Sequence, residues 1–315
     1  MYNSVRCVMI SCNSAGSEQV AEFLDMPGAP IDDADAVVLS FPWEGTVSFG
    51  SGTAQGPAAI LNAGPHLETF DEELEFEFEG NVRICTLDAL EVQPGEESAS
   101  YLARVSESCA VPGLQKVFPL ALGGEHSISS AVMAGLGRDW SRVTVVHIDA
   151  HADLRDEYGG NPHNHACALR RVLDLGIARL ISIGIRSCTA EEFALARDDD
   201  RIETFYAHEL QQEERWRHLL EQLRALTGEV YLTIDIDGLD CTLCPGTGTP
   251  QPGGLSWEQA LAILRATMRE SAATIVGADI VEAAPMQQSQ VNEMVAAKLG
   301  FKILGYRFAP RKADR

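Results

Sequence analysis

Six apolar runs rich in β-forming residues alternate with helix-like stretches along this chain. The runs at 143–148 and 180–185 are rich in Val and Ile, with little of the polar alternation of half-exposed strands, as expected of strands buried on both faces of a parallel sheet. We therefore predict an α/β fold whose mostly parallel sheet is covered by helices on both faces. The predicted strands are Ala36–Ser40, Val117–Leu122, Val143–Ile148, Leu180–Ile185, Val230–Ile236 and Thr274–Ile280, and the predicted helices are Ser127–Leu136, Ala166–Leu175, Glu191–Ala196, Glu213–Leu226, Trp257–Arg269 and Asn292–Ile303.

Nothing in the sequence suggests a division of the chain. It contains no internal repeat, no low-complexity tract and no linker rich in proline or serine. A length of 315 residues suits one large α/β domain or two smaller ones. We predict a single domain over residues 1–315.

The chain is strongly acidic, with 46 acidic and 24 basic residues and a net charge of −22. Several acidic residues crowd the segment 68–79, where acidic and apolar residues alternate from Leu74 to Phe78, and we predict a surface or edge strand there. Such a charge repels nucleic acid and anionic lipid and favours small cationic ligands. No apolar run approaches the roughly 20 residues that cross a bilayer. We expect neither a nucleic-acid nor a membrane partner.

The eight cysteines are scattered, without the framework of a small secreted domain. The apolar stretch at residues 7–10 is too short for a signal peptide. Together these features predict a cytoplasmic protein with reduced thiols.

Two acidic segments follow predicted strands and place carboxylates at alternate positions. Asp149, His151 and Asp153 follow the run at 143–148, Asp235 lies near the end of the run at 230–236, and Asp237 directly follows that run. Alternate residues of a strand share a face, and open α/β sheets bind ligands at the carboxyl ends of their strands. Ionised carboxylates crowded in this way repel one another unless a cation lies between them. The pattern therefore predicts a metal site.

A sixth candidate ligand, His126, lies where a predicted strand gives way to a helix, in the segment Gly123-Gly-Glu-His-Ser127. Four carboxylates and two imidazoles suit a hard or borderline divalent ion, for which Mn²⁺ is the best match. Four aspartates balance the charge of two such ions, so we predict two per subunit. His147 lies inside a predicted strand and is interpreted as a core or supporting residue and not as a ligand.

These segments resemble the ureohydrolase family of arginases and agmatinases. The resemblance extends over about residues 36–306 and rests on several ordered motifs: Phe41-Pro-Trp-Glu-Gly-Thr46, Gly56-Pro57, Gly123-Gly-Glu-His-Ser127, Asp149-Ala-His-Ala-Asp153, Asp235-Ile-Asp-Gly-Leu-Asp240, Pro245-Gly-Thr-Gly-Thr-Pro250 and Asp279-Ile-Val-Glu-Ala-Ala-Pro285. It implies a three-layer α/β/α sandwich, a centre of two manganese ions and an oligomer, either a trimer or a hexamer.

The resemblance also assigns the ligands. One ion would be held by His126, Asp149, Asp153 and Asp235. The other would be held by His151, Asp149, Asp235 and Asp237, so that Asp149 and Asp235 bridge the pair.

The reaction that the resemblance implies is hydrolysis of a guanidino compound to urea and an amine. Two metal ions can activate water for attack on the guanidinium carbon, and the leaving amine then needs a proton. We predict that His165 transfers this proton, that Glu282 binds the guanidinium by paired hydrogen bonds, and that Asp153 counts among the catalytic residues. Thr249, in the glycine-rich loop 245–254, is predicted to contact the substrate. His163 is interpreted as a surface-loop residue.

Several alternatives remain open at this level. Agmatine is the preferred substrate, followed by aminopropylagmatine, guanidinobutyrate and arginine; a carboxylate-tailed substrate would need a cation such as Arg155. The pair Cys241 and Cys244 could make activity sensitive to oxidants, although packing is the simpler role. A non-catalytic subunit that keeps the fold and a di-metal phosphoesterase are the other functional classes; the second fits poorly with Glu282 and with an acidic surface.

Overall fold

The computed structural model describes residues 22–311, so the apolar stretch at 7–10 and the cysteines at 7 and 12 lie outside the described residues. The strands are β1 (Ala36–Phe41), β2 (Phe70–Asp71), β3 (Phe76–Glu77), β4 (Ile84–Thr86), β5 (Phe118–Gly123), β6 (Val143–Ile148), β7 (Arg179–Ile185), β8 (Ile202–Tyr206), β9 (Glu229–Asp235) and β10 (Thr274–Val281). The helices are α1 (Gly56–Ala63), α2 (Ser98–Cys109), α3 (Ile128–Leu136), α4 (Ala168–Asp174), α5 (Ala190–Asp198), α6 (Glu213–Arg224), α7 (Trp257–Arg265) and α8 (Val291–Phe308).

Eight of these strands form one parallel sheet, in the order β4-β1-β5-β10-β9-β6-β7-β8. The central strands are buried almost throughout, which explains why their sequences are nearly continuous in apolar residues. Side chains of α1, α6, α7 and α8 pack on one face of the sheet, and those of α2, α3 and α4 pack on the other. The three-layer α/β/α fold predicted from the sequence is therefore confirmed.

All six predicted strands and all six predicted helices are present, with ends shifted by a few residues. The largest shifts are at the two carboxyl-terminal helices. The predicted helix 257–269 is α7 followed by a π-helical turn at Ala266–Glu270, and α8 continues to Phe308. The sequence interpretation missed the two edge strands β4 and β8 and the two helices α1 and α2.

The acidic segment 68–79 forms a small antiparallel pair, β2 with β3, instead of an edge of the main sheet. Asp71 in this pair is fully buried, so the segment is not simply a solvated surface strand. The buried ammonium of Lys302 on α8 lies 2.9 Å from Asp71 and 3.1 Å from Glu73. These ion pairs attach the acidic hairpin to α8.

Four neighbouring strands occupy the centre of the sheet, β5, β10, β9 and β6, and their carboxyl ends lie side by side. Residues that follow these strands are brought to one edge although as many as 156 residues separate them in sequence. Among residues 22–311, no helix is both long and apolar enough to cross a membrane.

Candidate metal centre

The six predicted ligands all lie at the carboxyl edge of the central strands. His126 follows β5, Asp149 follows β6 directly, and Asp235 is the last residue of β9. His151 and Asp153 continue from β6, and Asp237 lies in the single 3₁₀ turn after β9. The structure thus brings together the histidines and aspartates that the sequence pattern singled out.

The Nδ1 atom of His126 faces three carboxylates. It lies 3.1 Å from Asp149, 3.3 Å from Asp153 and 3.4 Å from Asp235. Donor atoms around an octahedral ion with bonds of about 2.1 Å stand about 3 Å apart. The spacing of these four groups is therefore that of ligands arranged around one divalent ion.

Asp149 occupies the middle of the cluster. Its Oδ2 atom faces His126, while its Oδ1 atom lies 3.5 Å from Nδ1 of His151, which is also 3.0 Å from Asp237. Among the described residues, two groups with closely spaced ligand atoms share this aspartate: His126 with His147, and His151 with Asp237. This geometry suits a carboxylate that joins two ion positions.

The protonation of His126 also fits a metal ligand. The Thr233 hydroxyl donates to Asp279 at 2.7 Å, so it must accept the hydrogen bond from Nε2 of His126 at 2.8 Å. In the neutral imidazole Nδ1 is then the unprotonated nitrogen, and it is buried without a hydrogen-bond partner. Burial opposes a charge on His126, but contacts with Asp149, Asp153 and Asp235 raise its pKa well above the ordinary value, so Nδ1 takes up a cation, a proton when no metal is bound and otherwise a metal ion.

Electrostatics support the same conclusion. Burial, together with the charge of neighbouring carboxylates, raises the pKa of Asp153 to about 7 and raises the pKa of Asp235 and Asp237 above the ordinary value. Burial opposes protonation of His151, yet its contacts with Asp149 and Asp237 raise its pKa to about 12. The cluster therefore holds excess negative charge that divalent ions would neutralise.

Glu282 follows β10 and is buried beside the cluster. Its Oε1 atom accepts a hydrogen bond from the backbone N–H of His126 at 2.8 Å. Burial, and then the charge of Glu125, raise its pKa well above the ordinary value. Glu282 and Asp153 both have left-handed backbones, with φ of +63° and +52°. Such backbone strain in non-glycine residues costs about 1–3 kcal/mol each and concentrates at functional sites.

His165 begins the turn that leads into α4 and is held by the loop after β1. Its Nδ1 atom lies 3.0 Å from the Thr46 hydroxyl and its Nε2 atom 3.3 Å from the Ser48 hydroxyl. Burial, and then the charges of His151 and His126, lower the pKa of His165 to about 4. The hydroxyl of Thr46 donates in turn to Glu125, a carboxyl buried beside His126.

The loop 245–254 forms a wall beside Glu282. A side chain at Gly248 would stand 3.5 Å from the Glu282 carboxylate, and Thr249 follows it in a partly exposed position. Asp240 fixes the loop by accepting from the backbone N–H groups of Gly253 and Gly254. Cys244 is buried in this region, and burial raises the pKa of its thiol to about 12, which favours packing over redox chemistry.

The other residues considered from sequence lie beside the cluster or away from it. His147 is buried, with Nε2 2.8 Å from Asp149 and Nδ1 3.1 Å from Ser182, which suits a supporting residue. Arg155 lies 3.8 Å from Glu192 and stacks on Tyr158. The guanidinium of Arg155 is therefore already paired with a carboxylate of the protein.

Sequence comparison agrees with this geometry. The sequence model of the arginase family matches residues 34–305, which is most of the chain. The chain belongs to the arginase family. The solved structure of agmatine ureohydrolase from Thermoplasma volcanium is similar to it, with a TM-score of 0.77, 28% identity, and coverage of 89% of this chain and 92% of the other.

Relatives within the arginase family are similar over nearly their whole length. The N(1)-aminopropylagmatine ureohydrolase of Synechocystis sp. is 39% identical over 279 residues, which covers 87% of this chain and 89% of the relative. The agmatinase of Pyrococcus horikoshii is 32% identical over 284 residues, which covers 90% of this chain and 95% of the relative.

The residues that support this arginase-family site could not be predicted from the sequence. Thr233 and Asp279 fix the orientation of His126. Thr46 contacts His165, and Glu125 in turn accepts a hydrogen bond from Thr46. Arg186 donates to the backbone carbonyl of Asp237 at 2.6 Å. Three of these residues lie within the family motifs, but a motif gives no indication of which distant side chain each one contacts.

Proposed function

We propose that this protein hydrolyses agmatine to putrescine and urea, with two manganese ions per subunit. The observation that carries the proposal is the convergence of His126, His151 and four aspartates at one sheet edge, with Glu282 beside them. When bound, the two ions would supply an activated water at neutral pH. The remaining chemistry depends on side chains of the protein.

The proposed ligands divide around Asp149. His126, Asp149, Asp153 and Asp235 would hold one ion, and His151, Asp149, Asp235 and Asp237 would hold the other. The two oxygens of Asp149 face the two histidines, which supports a bridging role. A second bridge through Asp235 is proposed from the family resemblance.

Glu282 is proposed to bind the guanidinium. Its Oε1 atom is fixed by the His126 backbone, and its Oε2 atom is the carboxylate atom nearest to the position a Gly248 side chain would take. A planar cation can form paired hydrogen bonds with such a carboxylate, and its positive charge offsets the cost of burying the glutamate. The bound guanidinium carbon would then be oriented for attack.

His165 is proposed to transfer the proton that the leaving amine needs. Its imidazole is held between two hydroxyls, and it lies close enough to His151 and His126 for their charges to affect its pKa. General acid–base catalysis of this kind contributes about 10²–10⁴-fold to rate. Thr249, on the loop wall, is proposed to contact the substrate.

A cavity beside the site favours a substrate with a cationic tail. It has a volume of about 440 Å³, and its lining includes Gly45, Glu97 and Asn161. Gly45 adjoins Thr46, and Thr46 contacts His165, so the cavity begins one residue from the proposed proton carrier. Because Glu96 in the lining is already paired with Arg104, the carboxylate of Glu97 is the one that would attract an amine and repel a carboxylate. The cavity also supports N(1)-aminopropylagmatine, whose tail carries a further amine, as a second candidate substrate.

Urea release from a panel of guanidines, with added Mn²⁺, tests the proposal. Agmatine and N(1)-aminopropylagmatine should be hydrolysed, and 4-guanidinobutyrate, arginine and guanidine should be poor substrates. Glu282→Gln should lower kcat/KM by about 100-fold or more while the amount of bound metal stays unchanged. A protein that binds no manganese and releases no urea from any compound would instead be a non-catalytic member of the fold.

We also propose a cytoplasmic homo-oligomer, either a trimer or a hexamer. The resemblance supports the oligomer, and the scattered cysteines support a reducing compartment. Light scattering coupled to gel filtration would measure the number of subunits.

A further inference from the structure

We propose that Glu125 and Thr46 are positioning residues that hold His165 with its proton on Nδ1, so that Nε2 is the nitrogen that exchanges protons in the reaction. The inference rests on the proposed function, in which His165 transfers a proton. It adds a carboxylate and a hydroxyl that the catalytic scheme above does not use.

The contact between Glu125 and Thr46 has two parts. The backbone N–H of Thr46 donates to Oε1 of Glu125 at 2.5 Å, and its hydroxyl donates to Oε2 at 2.6 Å. Both carboxylate oxygens therefore accept a hydrogen bond from the same residue. Glu125 is 2% exposed, so these contacts are made away from bulk solvent.

The remaining contacts of the Thr46 hydroxyl determine the tautomer of His165. A hydroxyl has one hydrogen to donate and two lone pairs that accept. With Glu125 ionised, the hydrogen goes to Glu125, and one lone pair accepts the backbone N–H of His165 at 3.1 Å. The other lone pair faces Nδ1 of His165 at 3.0 Å, so Nδ1 must be the nitrogen that donates.

Nε2 of His165 is therefore the ring nitrogen that is available for proton transfer. The only polar contact found for Nε2 of His165 within residues 22–311 is the Ser48 hydroxyl at 3.3 Å, in the more exposed part of the site. When Nε2 gains a proton, the imidazolium that forms is stabilised by the Glu125 carboxylate through Thr46. This is the role that the carboxylate of a serine–histidine–aspartate triad has toward its histidine, here with a hydroxyl between the two.

The sequence separation of the three groups indicates why the arrangement depends on the fold. Thr46 lies in the loop after β1, Glu125 follows β5, and His165 precedes α4. Strands β1 and β5 are paired in the sheet, and this pairing places the loop of Thr46 against Glu125. If Thr46 only fixed the loop after β1, one hydrogen bond to Glu125 would be enough. Its hydroxyl also contacts the ring of His165, so it positions the imidazole as well.

The tautomer can be measured without reference to activity. In full-length protein labelled with ¹⁵N-histidine and kept free of paramagnetic ions, ring nitrogen shifts should show His165 protonated at Nδ1, with His165→Ala providing the assignment. Glu125→Gln should reverse this. Because the Thr46 backbone N–H can only donate, the amide oxygen must accept it, and the amide NH₂ then donates to the hydroxyl, whose hydrogen turns to Nδ1.

Kinetics test the consequence for the reaction. Thr46→Val keeps the branched shape and removes the hydroxyl, and it should lower kcat about 10- to 100-fold with KM within about twofold. Thr46→Ser keeps the hydroxyl and is the matched control, with kcat within about threefold of the wild type. Bound manganese should be equal in all three proteins, since none of the changes removes a ligand.

The outcomes separate this inference from the proposed function. A wild-type His165 protonated at Nε2, or a Thr46→Val enzyme with unchanged kcat, would overturn the positioning role even if agmatine is hydrolysed. A wild type that hydrolyses no guanidine would overturn the proposed function, and the ring shifts of wild type and Glu125→Gln would still decide the hydrogen-bond arrangement.

Discussion

The Thr233 hydroxyl determines which nitrogen of His126 faces the carboxylates. Because it donates to Asp279, it accepts from Nε2, so Nδ1 is the nitrogen that faces the metal centre. Tyr231 also donates to Asp279, at 2.8 Å, so the supporting carboxylate is itself held by two hydroxyls. Partners of this kind typically change metal affinity by 10- to 100-fold when they are removed.

We therefore expect Thr233→Val to raise the dissociation constant for Mn²⁺ by about 10- to 100-fold. The measurement is calorimetric titration of the metal-free protein with Mn²⁺. Thr233→Ser, which keeps the hydroxyl, should bind as the wild type does. Equal affinities for the valine and serine variants would mean that the hydroxyl does not set the tautomer.

The candidate ligands could be predicted from sequence, and their supporting residues could not. Asp149, Asp153, Asp235 and Asp237 stand at alternate positions after apolar runs, so local periodicity identifies them. Thr233 and His126 are 107 residues apart, and Thr46 and His165 are 119 apart. Their contacts depend on which strands are neighbours, and local spacing contains no information about strand order.

At the scale of elements, the close approach of two strand ends places the ligands. Gly238 follows Asp237, and a side-chain carbon there would stand 2.7 Å from the backbone nitrogen of Asp149 and 2.8 Å from a methyl carbon of Ile148. The absence of a side chain lets the segment after β9 lie directly on the end of β6. Asp149 and Asp237 come within reach of His151 for this reason.

Gly238→Ala should therefore separate these two segments. We expect a loss of about 1–3 kcal/mol in the free energy of unfolding and at least a tenfold loss of Mn²⁺ affinity. Gly113→Ala is the matched control, because the added carbon would meet only the movable side chain of Ile31 at 3.3 Å. Denaturant unfolding and metal titration of both variants would check this, and unchanged metal binding in Gly238→Ala would contradict it.

The acidic hairpin depends on charge pairing with α8 and with Arg265. Glu73 receives hydrogen bonds from Arg265, Tyr306 and Lys302. Burial alone would raise its pKa, but these hydrogen bonds outweigh burial and lower the pKa from 4.5 to about 2. Because the folded-state pKa is depressed, the stabilising contribution of Glu73 is present above pH 4.5 and is lost as the pH falls toward 2.

Glu73→Gln should therefore lower the free energy of unfolding by about 1–3 kcal/mol at neutral pH. The difference from the wild type should shrink as the pH falls from 4.5 toward 2. Urea unfolding of the metal-free proteins at several pH values would measure both. A difference that stays constant over that range would show that ionisation of Glu73 contributes nothing to stability.

Elements were predictable where their sequences are long and apolar. The central strands β6, β9 and β10 have continuous apolar runs because helices cover both faces. The edge strand β4 has three residues, and β8 is only partly buried, so neither has a distinct pattern. Helix α2 was missed although its buried residues Tyr101, Leu102, Val105 and Cys109 have the spacing of an amphipathic helix.

At the scale of the whole molecule, the net charge of −22 surrounds a site proposed for a cationic substrate. Long-range attraction of this kind raises association rates and is screened by salt. We expect kcat/KM for agmatine, a dication, to fall by about three- to tenfold between about 20 mM and about 500 mM salt. Initial rates in two different salts would test this.

In that experiment kcat should stay within about twofold, because screening acts on encounter and not on the bound complex. A kcat/KM that is independent of ionic strength would mean that the surface charge has no steering role.

The strand order β5-β10-β9-β6 is a further property of the whole molecule, and it brings the site together from four adjacent strands. Sequence periodicity predicted that the ligands lie at the carboxyl edge of the sheet, but it could not give the order of the strands.

The left-handed backbones of Asp153 and Glu282 have a consequence for laboratory evolution of this protein. Replacing either residue by glycine would relieve a conformation that only glycine adopts without penalty. Libraries selected for heat resistance alone should accumulate changes at these two positions and yield robust but inactive proteins. Thermostabilisation should therefore hold both codons fixed, or screen each round for turnover.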